Sequence, residues 1–515
     1  VAGTFLIGSG VQAQPPSDSS QPSSRPNVLM IAIDDLNDWV EPLAGHPQAQ
    51  TPAMQSLADQ GMTFTNAHCQ SPLCNSSRTS LMLSLRPSTT GIYGLAPWFR
   101  SLETYKTTRS LPQHFADHGY ETYTAGKIYH GGSWKRPPAG GDVEFMHSGP
   151  AGGPGVRPPK KLVPPTSAGN HRLVDWGVFD HREEDKGDWI VADWATKELA
   201  DMRNQPAMAD RPFFMSVGFF LPHVPCHATP KYWDMYPQET LILPNMIDDD
   251  RADCSPFSWY LHWNLPEVRL TYLKQYEEQE NIVRAYLACI SFVDSQVGRV
   301  LDALKQSGRA DNTIVCLWSD HGWHLGEKEI TGKNTLWEPS TRVPLIFAGP
   351  GVTHGQCNQP AELLDVFPTL SDLAGLSDPN SARPDQPVEG LSLLPQIQDA
   401  TIKRTRPAIT DHNPGNQGIR GERYRLIRYA DGSEELYDIE TDPDEFTNRI
   451  DDASLADEAA QLREFYNADA APLAIGSRSR VLERRDDGWY WEGEKIDQDN
   501  PPMDIGSTKL SDLPR

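Results

Sequence analysis

The chain alternates short, near-continuous apolar runs with longer stretches of helical periodicity. Asn27-Val-Leu-Met-Ile-Ala-Ile33, Phe213 to Phe220 and Thr313 to Ser319 have the pattern of strands covered on both faces. Met62 to Asn66, Tyr120 to Ala125 and Val343 to Ala348 add shorter strands. Between them lie predicted helices. One opens at Thr51-Pro52 and closes at Gly61, with proline at the first helical position; others cover Leu111 to His118 and Asp188 to Met202. The longest, Gln279 to Gln306, carries Ile282, Ala285, Tyr286, Cys289, Val293, Val297, Val300, Leu301 and Leu304 on one stripe and stops at Gly308. Glu362 to Ala374 predicts one more helix, closed by Gly375. Strands that alternate with helices predict an α/β domain.

The texture changes after about residue 380. Tyr424 to Tyr429, Ala-Asp-Gly, then Glu434 to Tyr437 predicts a β-hairpin, and Leu455 to Tyr466 a helix. From Ile475 the chain is charged and broken by Pro and Gly, which predicts an irregular tail. The expected organisation is therefore a leader and linker over 1–25, a main domain over 26–400, and a C-terminal subdomain over 401–515. Lys135 to about Lys186 is rich in Gly, Pro and charge, the texture of a long functional or mobile loop.

Composition narrows the function. The chain has 515 residues, with 46 basic and 70 acidic side chains and a formal charge of −24. That balance argues against non-specific binding to nucleic acid or to anionic membranes. It leaves an anionic small substrate open, because cations gathered in a pocket overrule the net charge. Val1 to Ala13 reads as the end of a secretory signal, an apolar run closed by a small-x-small site, which predicts export to the periplasm or the medium. Pro15 to Pro26 reads as a disordered linker. No later apolar run reaches transmembrane length. Seven cysteines stand at 69, 74, 226, 254, 289, 316 and 357. Cys289 and Cys316 fall in core patterns, and Cys226 and Cys254, flanking a loop-rich region, are the best candidates for a disulfide.

The chemistry concentrates in Ser71-Pro-Leu-Cys74-Asn-Ser76-Ser77-Arg78. Ser76 and Ser77 suit the opening of a helix, with Leu81, Met82 and Leu85 at helical spacing after them. Cys74 then sits at a helix N-terminus, where free N–H groups and the dipole favour an anion. Arg78, one turn on, is placed to clamp an anionic group or to hold the reacting side chain. Several strands end in polar groups: Asp34-Asp35 after the first, Lys127 and His130 after Tyr120–Ala125, His223 between two prolines after Phe213–Phe220, and Asp320-His321 after Thr313–Ser319. Lys333 follows in the next loop. Each alone suits a solvated turn. Together they predict one site at the carboxyl edge of a sheet.

These motifs resemble the type I sulfatases of the alkaline phosphatase superfamily from about Pro26 to Asn448. The matching stretches are Cys74-x-Ser76-x-Arg78, Ile33-Asp34-Asp35-Leu36, Gly126-Lys127-x-x-His130, Pro222-His223-x-Pro225, Asp320-His321-Gly322-Trp323 and Glu435-Leu-Tyr-Asp438 with Asp442-Pro443. Within that family the resemblance is greatest to the iduronate-2-sulfatase-like group. It implies an α/β/α sandwich around a mostly parallel mixed sheet, with a smaller α+β C-terminal subdomain carrying an antiparallel sheet. It also implies that Cys74 is converted to formylglycine by a sulfatase-maturating enzyme. Asp34, Asp35, Asp320, His321 and residue 74 would hold one divalent cation, calcium by their oxygen character. Arg78, Lys127 and Lys333 would neutralise the sulfate, while His130 and His223 move protons. The implied substrate is a sulfated saccharide, a 2-O-sulfated uronate first.

Three departures accompany the match. Ser76 stands where bacterial members commonly have Pro. Met82-Leu83-Ser84 replaces the usual Leu-Thr-Gly, which bears on recognition by the maturating enzyme. Gln417 stands in a stretch where relatives often carry His, which bears on specificity. A phosphodiesterase or phosphonate hydrolase on the same scaffold, and a non-catalytic carbohydrate-binding relative, are the competing readings.

Overall fold

A computed structural model describes residues 25–131, 144–163, 173–204 and 211–500. The leader expected over Val1 to Ala13, and part of the 135–186 insertion, lie outside the described residues. In chain order the main strands are β1 (Asn27–Asp34), β2 (Gly61–Phe64), β3 (Glu121–Gly126), β4 (His147–Ser148), β5 (Phe213–Pro222), β6 (Thr313–Ser319), β7 (Leu345–Ala348) and β8 (Gly355–Cys357). They form one eight-stranded sheet in the order β8-β2-β7-β6-β1-β5-β3-β4. All neighbours are parallel except β7, which runs antiparallel to β2 and β6.

The central strand β1 is buried along its whole length. Its Leu29, Ile31 and Ile33 enter the core under helices α1 (Pro52–Ala58), α4 (Gly187–Asn204) and α5 (Gln279–Gln306). Val28, Met30 and Ala32 enter the opposite core, under α2 (Cys74–Leu83), α3 (Leu111–Asp117) and α6 (Val366–Leu373). This is the expected α/β/α sandwich. The periodicity of α5 gave its limits without error, because that helix has one apolar stripe and a clean stop. The Asp294 carboxylate on α5 accepts from Ala53 N (3.0 Å) and Met54 N (2.9 Å), and so serves the free N–H groups at the start of α1.

The C-terminal region carries an antiparallel sheet, β9 (Ala408–Asp411), β10 (Gln417–Arg420), β11 (Tyr424–Arg428) and β12 (Glu434–Asp438), with helix α7 (Ala456–Arg463) packed on it. Its other face meets Phe257, Trp337 and Tyr260 of the main domain. The tail departs from expectation. Residues past Ile475 form a second small antiparallel sheet, β13 (Leu482–Arg485), β14 (Gly488–Trp491) and β15 (Glu494–Lys495). Its apolar anchors, Leu482 and Trp491, are too sparse to show as a pattern among the charges.

The expected Cys226–Cys254 disulfide is not formed, and all seven cysteines are free. Cys226 begins a short strand packed against α5, where its thiol donates to Pro222 O (2.9 Å) and is hydrogen-bonded to Cys289. Cys254 lies by the C-terminal sheet, 3.6 Å from the Tyr437 hydroxyl. The loop between them brings the two to different cores. Among the described residues no helix is long and apolar enough to cross a membrane.

Candidate active site

The carboxyl ends of β1, β3, β5 and β6 meet the N-terminus of α2. Helix α2 starts at Cys74 itself, with Leu73 in an extended conformation before it and no side-chain cap. Ser76 and Ser77 therefore lie inside the first turn rather than capping it: Ser76 Oγ donates to Ser71 Oγ (2.7 Å), and Ser77 Oγ to Asp320 O (2.5 Å). All ten residues of α2 are buried, so the helix is wedged into the molecule rather than laid on it. Its uncapped N–H groups make the Cys74 end a positive pole.

The groups around the Cys74 sulfur are cationic or neutral donors. Lys333 Nζ lies 3.2 Å from Sγ, His321 Nε2 3.3 Å and Lys127 Nζ 3.4 Å, and His130 is hydrogen-bonded to it. Burial pushes the thiol up, but Lys127, Lys333, His321 and the His130 bond hold it well below the ordinary thiol range. Residue 74 is thus built to carry negative charge. His321 Nδ1 lies 3.1 Å from Gly322 O, which turns Nε2 toward the site, where it is the nitrogen that can ligate a cation once it gives up its proton.

Behind residue 74 stand three carboxylates. Asp34 Oδ1 accepts from Arg78 Nη2 (3.1 Å) and Oδ2 pairs with Lys127. Burial and Cys74 push Asp34 up, and Lys127, His223 and Arg78 outweigh them to hold it below the usual carboxylate range. Asp35 Oδ1 accepts from Lys333 Nζ (2.6 Å), while Oδ2 is buried with no hydrogen-bond partner. Asp35 also has a left-handed backbone (φ 61°), a conformation costing roughly 1–2 kcal/mol that turns its carboxylate into the site. Asp320 Oδ1 accepts from Asp35 N and His321 N, both at 3.1 Å, and Oδ2 from Arg78 Nε (2.7 Å). Burial pushes its carboxyl up to about 6 against Arg78 and His321.

Arg78 is fully buried and does not open toward a ligand. Besides Asp34 and Asp320 it donates to the carbonyls of Lys127 and Ile128. Of its two expected uses, holding the reacting groups is the one its geometry takes. Gly126 positions Lys127: its φ is +74°, and an added Cβ would fall 1.7 Å from Gly218 O. His223 follows β5, where Asp188 at the start of α4 accepts from Phe220 N (2.6 Å) and Leu221 N (2.9 Å). The His223 ring lies 3.9 Å from Asp35 Oδ2.

Cys74, Lys127, His130, His223 and Lys333 line one pocket of about 420 Å³, a size that suits a monosaccharide-scale ligand. Asp34, Asp35, Cys74 and His321 form a metal-type cluster with ligand atoms within 4.8 Å of one another. Asp320 lies just outside that cluster, its oxygens already accepting from Arg78 and two backbone N–H groups. Gln417 is turned away, its amide engaged by Asp411 Oδ1 (2.6 Å) and Asn467 N (2.8 Å). Sequence reading missed Glu267, Arg480 and Asp188. None of the three sits in a motif, and only long-range packing brings them here.

Residues 26–376 match the family model described as Sulfatase. The chain belongs to the sulfatase family. Residues 326–469 of this sulfatase also match the model described as N-sulphoglucosamine sulphohydrolase, C-terminal. Similar curated proteins include a sulfatase of Formosa agariphila, 39% identical over 82% of this chain and 83% of that one. A choline-sulfatase of Rhizobium meliloti is 30% identical over 87% of each chain, and human iduronate 2-sulfatase 30% identical over 72% of each. Solved structures of the same fold include a 2-O GAG sulfatase (TM-score 0.64, 23% identity, 85% of this chain and 90% of that one). A phosphonate monoester hydrolase of Agrobacterium radiobacter also shares it (TM-score 0.65, 20% identity, 90% and 99%).

Proposed function

We propose that this sulfatase removes O-sulfate from a sulfated saccharide, with a 2-O-sulfated uronate as its substrate, through formylglycine made from Cys74. The observation that carries this reading is the ring of Lys127, Lys333 and His321 within 3.4 Å of the residue 74 side chain at the floor of a sugar-sized pocket. Relatives named iduronate 2-sulfatase and Delta 4,5-hexuronate-2-O-sulfatase support the uronate assignment. The expected leader supports export.

The residues present fit one hard divalent cation. Asp34 and Asp35 offer carboxylate oxygens, Asp35 Oδ2 has no hydrogen-bond partner among the described residues, and His321 turns Nε2 into the same cluster. We assign Ca²⁺, with Asp320 as a further ligand through its remaining lone pairs. When bound, the cation polarises a sulfate oxygen and offsets charge that grows during attack on sulfur. A formylglycine at 74 would supply, as its hydrate, one oxygen for attack on sulfur and a second hydroxyl whose deprotonation re-forms the aldehyde as the C–O bond to sulfate breaks.

The chain's own groups do the rest. Lys127 and Lys333 hold the sulfate oxygens, fixed in place beforehand by Asp34 and Asp35, so no reorganisation is needed as charge develops. Arg78 holds Asp34 and Asp320 in register. His223 protonates the departing sugar oxygen, which is otherwise a poor leaving group. His130, beside residue 74, takes the proton from its hydroxyl in the second half-reaction.

Peptide mass spectrometry across residue 74, on protein made with a sulfatase-maturating enzyme, tests the nucleophile. Formylglycine at 74, followed by release of inorganic sulfate from a 2-sulfated uronide, is the expected result. Unmodified cysteine under those conditions, or faster turnover of phosphonate or phosphodiester than of any sulfate ester, would overturn it.

A further inference from the structure

The pocket has a second charged feature away from the nucleophile. Glu267 and Arg480 line it together with Cys74, Lys127 and Lys333. Among the described Lys and Arg side chains lining this pocket, Lys127 and Lys333 are already on the Cys74 sulfur. Arg480 is the third, and the reaction derived above makes no use of it. We infer that Arg480, carried into the pocket by the C-terminal segment, reads a carboxylate on the sugar ring that bears the sulfate. This rests on the saccharide reading proposed above and adds to it the residue that selects an acidic sugar.

The backbone of Arg480 is fixed while its head is not. Ser479 and Arg480 are consecutive left-handed residues (φ 63° and 71°), a pairing that non-glycine residues hold only where the surroundings impose it. Leu95 N donates to Ser479 O (3.0 Å), Arg478 bridges to Ala96, Asn413 Nδ2 donates to Arg480 O (3.3 Å), and Arg480 N donates to Glu492. The 94–97 loop that receives this segment is itself tied to the nucleophile helix: Asn75 Nδ2 donates to Gly94 O (3.0 Å) and Pro97 O (3.1 Å). The tail is thereby referenced to residue 74 through two short links.

Among the described residues the guanidinium, by contrast, has only a loose partner. Arg480 Nη2 is 3.7 Å from Glu267 Oε1, beyond hydrogen-bond length, with the side chains 18% and 11% exposed. Glu267 Oε2 is buried with no partner. The walls around them are apolar, formed by Leu95, Leu173, Val174, Phe220, Pro266 and Trp323. In such surroundings a planar, permanently charged fork favours a carboxylate and disfavours a cationic substrate. Glu267 Oε2 is left to accept from a sugar hydroxyl. The sulfate end is served by lysines and the carboxylate end by the arginine, so a ligand with both anions is held in one orientation.

The test uses the mature enzyme and two substrates that differ in one charge, a 2-sulfated uronic acid glycoside and its methyl ester. Wild type should prefer the acid by about tenfold in kcat/KM, chiefly through KM, as expected for one charge-assisted contact. In Arg480→Gln the ratio should fall to near one, and Arg480→Lys should keep part of it. Gly94→Ala should lower the ratio too, since an added Cβ would stand 2.9 Å from both Arg478 O and Ser479 O and displace the segment. A ratio near one in wild type, or a ratio unchanged in Arg480→Gln, overturns the inference while sulfate release stands. Protein with formylglycine at 74 that frees sulfate from neither substrate overturns the proposed function itself.

Discussion

The floor and the outer wall of the pocket are built on opposite principles. The floor comes from the ends of adjacent strands and the start of α2, and its Asp34, Asp35, Arg78, Asp320 and His321 have no measurable exposure. Each charge there is paired across a few ångströms with a charge carried by another strand end, by helix α2 or by a neighbouring loop. The wall comes from residues 95, 173–174, 266–267 and 480, drawn from loops far apart in sequence, and holds one loose ion pair among apolar side chains. A floor of interlocked charges tolerates little change, because removing one partner leaves the other buried and unpaired. A wall of loops alters by substitution without disturbing the chemistry beneath it. The fold thus separates what is done from what it is done to.

Three substitutions sharpen that division. Cys74→Ala removes the proposed nucleophile and should lower kcat by at least about 10⁴-fold on every substrate, in steady-state assays against matured wild type. Lys333→Ala should lower kcat by roughly 10²–10³-fold, again without regard to the sugar. That loss would fail the floor reading if it appeared only with acidic sugars. Asp188→Asn lies one step out. It replaces an acceptor of two backbone N–H groups by a group that accepts fewer, at a cost of roughly 1–3 kcal/mol. It should lower kcat through the displaced His223 loop and lower Tm in parallel.

The smallest effect concerns pH, at a site remote from the pocket. Burial pushes the Asp294 carboxyl up to about 6 despite its two N–H donors. Between the unfolded value near 3.8 and that folded value, the native state binds more protons than the unfolded chain. This group's contribution to stability therefore declines as pH rises from about 4 to about 6 and is level above. Denaturant titrations across that range should show the decline in wild type, at most about 1.4 kcal/mol per pH unit, and a shallower one in Asp294→Asn. Equal slopes would refute it.

The floor was legible in the sequence because its signals are local. A both-faces-buried strand such as β1 must be almost wholly apolar, so Asp34-Asp35 at its end stands out. The same logic located Lys127, His223 and Asp320-His321. Two details were not legible. Helix α2 opens at Cys74 rather than at Ser76 or Ser77, because tertiary partners such as Ser71 and Asp320 take the serine hydroxyls that would otherwise cap it. Arg78 faces inward because two strand-end carboxylates converge on it, which no spacing within its own helix reveals. The wall left only a broad trace, since residues 173–174 fall in the Lys135–Lys186 stretch read as a functional loop but nothing marked Glu267 or Arg480. Arg480 is one charged residue in a charged tail, and its value comes only from the contacts that bring residues 478–480 beside residues 95–96.

The burial of α2 also sets an order of events in the life of the chain. Cys74 through Arg78 are buried in the finished molecule, with Cys74 reached only at the floor of a pocket, so an enzyme that had to grasp this segment would need it before the sandwich closes. At roughly 5–20 residues per second, synthesis places residue 74 about 20–80 s ahead of residue 480. For that interval the nucleophile segment exists and the tail that completes its pocket does not. On the proposed conversion of Cys74, folding speed and maturation speed compete, and the yield of active protein is set by which of the two is faster.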